Sequence, residues 1–133
     1  MASYFAGLTT AAVSVLTTSQ LAALTTADYA GINSDQLRAL GTSQLKALSS
    51  SQIRGLSTSN ITALTTDQIK SGLTTSAVAG LLTTQISALT TDQIKSGLAT
   101  DELVALTTAQ VAALVTSQLQ ALSTDQVKSM ETR

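Results

Sequence analysis

The sequence predicts an all-α protein: a three-sided solenoid of short capped helices, with one unit of eight or nine residues per side and about five turns over residues 1–133. Three observations carry this reading. The first is a phrase of the form Leu-Thr-Thr-x-Gln-Ile-x-Ala repeated head to tail. Its apolar opener falls at Leu8, Leu16, Leu24, Ile32, Leu40, Leu48, Leu56, Leu64, Leu73, Leu81, Leu89, Leu98, Leu106, Leu114, Leu122 and Met130, so that thirteen steps are eight residues and two are nine. A second apolar residue stands at the fifth place after each opener, as at Val13, Leu21, Tyr29, Leu37, Leu45, Ile53, Ile61, Ile69, Val78, Ile86, Ile94, Leu103, Val111, Leu119 and Val127, and Phe5 extends that row towards the N-terminus. The second observation is a cap signal in most units, and the third is a longer period in the glycines.

The spacing decides against the simpler elements. On one continuous helix an eight-residue unit rotates the apolar stripe by roughly 80° per repeat, which smears it around the cylinder. In a strand, a step of five moves the side chain to the opposite face. Each unit must therefore contain a break. A Thr or Ser follows most openers and a Gln stands three places later, as in Thr17-Thr18-Ser19-Gln20 and Thr107-Thr108-Ala109-Gln110. That is a capping box: the hydroxyl takes the third amide hydrogen and the Gln returns to the cap's own N–H. A unit then reads as a cap, about two turns of helix, and a tight turn.

The charges follow the same register. Arg38, Lys46, Arg54, Lys70, Lys95 and Lys128 occupy the sixth place, late in each helix, while Asp28, Asp35, Asp67, Asp92, Asp101, Glu102 and Asp125 fall early. Both positions complement the helix dipole, each by a few tenths of a kcal/mol.

The longer period sets the number of sides. Gly7, Gly31, Gly55 and Gly80 each precede an opener three units apart, and the two nine-residue units, with Ile69-Lys70-Ser71-Gly72 and Ile94-Lys95-Ser96-Gly97, are also three units apart. A glycine on every third unit marks a left-handed helix cap or a close backbone approach that recurs in space. Helices this short are unstable alone, so the Leu and Ile rows must point inward and rest on neighbouring turns. Small residues at the seventh place, such as Ala23, Ala47, Ala63 and Ala113, favour close approach.

Composition narrows the functions. The chain has no Cys and no His, so the commonest nucleophile–base pairs, thiol chemistry, disulfides and transition-metal sites are absent. The adjacent carboxylates Asp101 and Glu102 read as a solvated helix N-terminus, the many hydroxyls as caps, and the Gln row as capping and inter-layer hydrogen bonding. No catalytic, cofactor-binding or metal site is expected. Net charge is −1 with singly spaced cations, which disfavours nucleic acid; Lys46, Lys70 and Lys95 share a column, but Asp67 and Asp92 stand beside it. No apolar run approaches a membrane span, and Met1 to Phe5 lack a basic signal-peptide start.

The phrase as it stands in Leu64-Thr65-Thr66-Asp67-Gln68-Ile69 and Leu106-Thr107-Thr108-Ala109-Gln110-Val111-Ala112-Ala113-Leu114 resembles the octapeptide arrays of very large bacterial surface or secreted proteins of the adhesin and haemolysin-like kind. The resemblance spans Phe5 to Met130. It implies a spacer or stalk segment, without catalytic residues to transfer, in an extracellular or cell-surface setting. The expected function is thus a non-catalytic rigid spacer or scaffold. The alternative is a binding module that uses an outer face for protein or peptide, or for ice or carbohydrate through pairs such as Thr9/Thr10, Thr17/Thr18, Thr25/Thr26 and Thr65/Thr66. Self-association is expected at the ends. Tyr4 and Phe5 are placed to cover the first layer, whereas Ser129 to Arg133 leave the last layer, with Val127 and Met130, poorly covered.

Overall fold

A computed structural model describes residues 4–131; Met1 to Ser3, Thr132 and Arg133, and with them parts of the expected N-terminal start and C-terminal cap, lie outside the described residues. The chain forms α1 (Thr10–Ser14), α2 (Thr18–Ala22), α3 (Thr26–Ala30), α4 (Ser34–Arg38), α5 (Thr42–Lys46), α6 (Ser50–Arg54) and α7 (Thr58–Ala63). A π-helical turn, π1 (Gln68–Gly72), precedes α8 (Thr75–Ala79) and α9 (Thr83–Ala88). A second, π2 (Gln93–Gly97), precedes α10 (Thr100–Val104), α11 (Thr108–Ala112), α12 (Thr116–Ala121) and α13 (Thr124–Glu131).

Most helices begin as their caps dictate, α10 being the exception, since Ala99 makes no side-chain cap bond. Thr17 holds extended backbone at φ −76° and ψ 158°; its hydroxyl accepts the Gln20 N–H at 3.1 Å while Gln20 Oε1 accepts the Thr17 N–H at 2.8 Å. Reciprocal pairs also join Asn33 to Gln36, Ser49 to Gln52, Thr65 to Gln68, Thr90 to Gln93, Thr107 to Gln110 and Ser123 to Gln126. Where Gly41, Leu82 or Val115 takes the cap position, only the Gln half of the box survives. The helices are shorter than the two turns expected: apart from α13, each α-helix holds five or six residues. The opener ends them, because it bonds back by a three-residue step and then leaves the helix. Leu64, for example, donates to the Ile61 carbonyl at 3.2 Å and turns extended at ψ 137°.

Each element from α1 to α10 packs on the element three later in the chain. The pairs are α1 with α4, α2 with α5, α3 with α6, α4 with α7, α5 with π1, α6 with α8, α7 with α9, π1 with π2, α8 with α10, α9 with α11, π2 with α12, and α10 with α13. Among the described residues this generates three columns of five short helical elements, which is the predicted three-sided solenoid. Both nine-residue units fall in one column, and the extra residue is absorbed inside the helix as a π-turn: Leu98 N–H reaches the carbonyl of Gln93, five residues back, at 3.0 Å. Stacking the two bulges keeps the column in register.

Gly55, Gly72, Gly80 and Gly97 serve close approach, whereas Gly7 takes left-handed backbone. Gly31, Gly55 and Gly80 have ordinary right-handed backbone, and Gly7, at φ 83°, is the one positive-φ residue among those described. A Cβ on Gly55 would lie 2.6 Å from the Thr26 carbonyl oxygen, and one on Gly72 would lie 2.8 Å from Leu45 Cδ1 in the adjoining turn. Both expected roles thus occur, left-handed backbone at Gly7 and contact between turns at Gly55, Gly72, Gly80 and Gly97.

The two apolar rows form one core along the axis. The fifth-place row is buried from Phe5 to Leu103, and the openers from Ile32 to Leu114. The ends depart from the expectation of full burial. Leu8, Leu16 and Leu24 are half-buried in the first turn, whereas Leu119 and Val127 are 48% and 42% exposed in the last. Openers thus need a preceding turn, and fifth-place residues a following one. At the N-terminus Phe5 is fully buried, edge-on to the half-exposed Tyr4 and 5.4 Å from the Tyr29 ring, so it is a core member more than a lid. The Tyr4 N–H also donates to Asp28 Oδ1 at 3.2 Å.

Candidate functional site

The most organised polar feature is a ladder of buried glutamines. At the fourth place of a unit, a Gln has an oxygen for its own cap and an amide N–H pair for the turn before it. Gln93 shows the full set: Oε1 accepts the Thr90 N–H at 2.8 Å, and Nε2 reaches the carbonyls of Ile61 at 2.9 Å, Thr62 at 3.2 Å and Leu64 at 2.7 Å. Gln36, Gln44, Gln52, Gln68, Gln85, Gln110, Gln118 and Gln126 make the same connection, 28 to 32 residues back. A helix end leaves amide hydrogens bare at one terminus and carbonyls at the other. One side chain here supplies partners to both, on two different helices.

The exceptions show what the position demands. Asn60 is one methylene shorter: its Nδ2 reaches Ile32 O at 2.8 Å, but its oxygen does not return to the Ser57 amide, and only the Ser57 hydroxyl half of the box remains. Asp28, in the first turn, accepts from Thr25 and Tyr4, and the Thr25 bonds hold its carboxyl below the usual range. Ala77 is buried with nothing to donate. Glu102 corrects the sequence reading. Asp101 is exposed, but Glu102 is 5% exposed, because its place in the repeat is the inward-facing Gln place.

The remaining candidates separate. The six sixth-place cations are exposed, and Arg38 Nε donates across turns to Ala63 O at 2.8 Å. Lys46, Lys70 and Lys95 share the α5–π1–π2 column, with Asp67 and Asp92 at the starts of the π-turns. In the Thr pairs, the first hydroxyl is engaged as a cap at Thr9, Thr17, Thr25 and Thr65. Burial pushes the Tyr29 phenol up, and its hydroxyl donates to Leu21 O at 2.7 Å. Two open grooves mark the surface, one of ≈ 540 Å³ beside Thr26, Ala30, Arg54, Gly55 and Leu82, the other of ≈ 420 Å³ beside Thr108, Val111, Ala112 and Met130. Among the described residues, no three of His, Cys, Asp or Glu come together in a metal-binding group, and no helix is long and apolar enough to cross a membrane.

The repeat, with its cap, its ladder glutamine and its six-letter core at Ala105-Leu106-Thr107-Thr108-Ala109-Gln110, matches the family model of the ALTTAQ repeat over residues 21–48, 42–71 and 96–132, more than half of the chain. The chain belongs to the ALTTAQ repeat family. No curated protein and no solved structure matches it. Within the ALTTAQ phrase, Leu fills the core, the first Thr caps the helix, and Gln serves the cap and the preceding turn at once.

Proposed function

We propose that the protein is a non-catalytic structural module, a rigid spacer or scaffold built by stacking ALTTAQ turns. The observation that supports this most is the Gln ladder, since the most regular polar side chains are committed to joining one turn to the next. Contacts run between adjacent turns, so length scales with turn number while the cross-section stays constant. The setting we propose is extracellular or at a cell surface, in keeping with the likeness of the octapeptides to bacterial surface arrays. The last turn, with Leu119 and Val127 exposed, is where we place association with a second copy, because these fifth-place residues repeat the apolar surface buried between earlier turns.

Small-angle X-ray scattering tests both parts. Duplicating residues 61–85 once or twice should lengthen the particle by about 8–10 Å per added turn, the usual spacing of packed helices, at constant cross-sectional radius. A widening or flexible particle would contradict the spacer reading. In a concentration series the parent chain should form dimers that Val127→Glu with Met130→Glu abolishes, helical circular dichroism being retained. A strict monomer at high concentration would remove the association.

A further inference from the structure

One rung of the ladder carries a carboxyl group. Glu102 Oε2 is the buried side-chain polar atom without a hydrogen-bond partner among the described residues. One turn further on, Gln126 holds the equivalent place, and its Nε2 donates to the carbonyls of Ile94 and Leu98, both at 2.9 Å. Displaced by one 25-residue turn, those carbonyls correspond to Ile69 and Leu73. An ionised carboxylate brings only acceptors to a site whose partners are acceptors. A carboxylic acid brings the missing proton.

We propose that Glu102 is a proton-operated rung: protonated, it donates its single O–H to the Ile69 and Leu73 carbonyl row, where glutamine offers two N–H groups, and ionised, it opens that rung and loosens the joint between the turn of π1 and the turn of α10. Burial first, and the charge of Asp101 second, push its carboxyl from an ordinary 4.5 up to about 7. The groups around it do not supply a counter-charge in the core. Of the two helices stacked on α10, α8 carries no titratable residue, and Asp125, Lys128 and Glu131 of α13 are exposed, as are Asp101 and Lys70. Between about pH 4.5 and 7 the folded chain keeps a proton that the unfolded chain has released. The rung's contribution is therefore complete below that window, falls as pH rises through it, and is lost above.

Urea unfolding from pH 4.5 to 8.5, on the parent and on Glu102→Gln, tests this. The parent should lose stability across the window, whereas Glu102→Gln should lack that component and show a folding equilibrium constant at pH 8 about ten-fold or more above the parent. Carbon-13 NMR of the parent's carboxyls should place the Glu102 midpoint near 7. Equal pH slopes in the two chains, a Glu102→Gln chain less stable than the parent at pH 8, or a Glu102 midpoint in the ordinary carboxylate range would each overturn the proposal.

Discussion

Ile69→Ala is expected to destabilise the protein by about 2–5 kcal/mol, the range for large-to-small changes at a packed site. Ile69 is fully buried at the centre of the stack, and in the turn above it a Cβ placed on Gly97 would lie 3.2 Å from both its Cβ and its Cγ2. The neighbouring glycine has no side chain to relax into the space. Leu64→Ala, in the opener row at 4% exposure, should fall in the same range. Equilibrium unfolding by urea measures both. Losses below about half a kcal/mol at both sites would mean that these rows do not form the core.

The second large effect belongs to the ladder. Gln93→Ala strips the Thr90 N–H and the carbonyls of Ile61, Thr62 and Leu64 of their side-chain partner. Leaving a buried polar group unsatisfied costs about 1–3 kcal/mol, so the total should exceed about 2 kcal/mol even though Ile61 O keeps its bond from Leu64 N–H at 3.2 Å. Gln20→Ala is the internal control. Gln20 is exposed in the first described turn and accepts from Thr17, and among the described residues its amide meets no carbonyl of a preceding turn. Its loss should resemble that of a single exposed cap partner, about 0.5–1 kcal/mol. Equal losses at Gln20 and Gln93 would reduce the Gln row to local capping.

Much of this architecture is legible in the sequence because it rests on spacing. The five-and-three apolar step requires a break in every unit, and the glycines together with the nine-residue units mark every third one. The stacked pairs α4–α7 and π1–π2 follow from that arithmetic. Helix length is less legible, because the residues from Ile61 to Leu64 satisfy helical and turn periodicity equally, and only the three-residue bond from Leu64 to Ile61 ends the helix there. The π-turns are visible only as an extra residue. Whether that residue loops out or widens the helix depends on the turn against which Gly72 packs, at Leu45, far back in the chain. Glu102 misleads for a different reason: charge argues for solvent, while its fourth place in the unit argues for the buried Gln column, and position prevails. The ladder's double reach can be anticipated from the Gln row in outline, but not its partners, which lie on another helix.

If each buried Gln joins two turns through its side-chain amide, the hydrogens of that amide are shielded from water by the turn they bind. Hydrogen exchange of the glutamine Nε2 protons, followed by NMR, reads this shielding directly. Gln68, Gln85, Gln93 and Gln110, each bonded to carbonyls of the preceding turn, should exchange far more slowly than Gln20, which has none. Rapid exchange of all five at one common rate would contradict a glutamine ladder between turns.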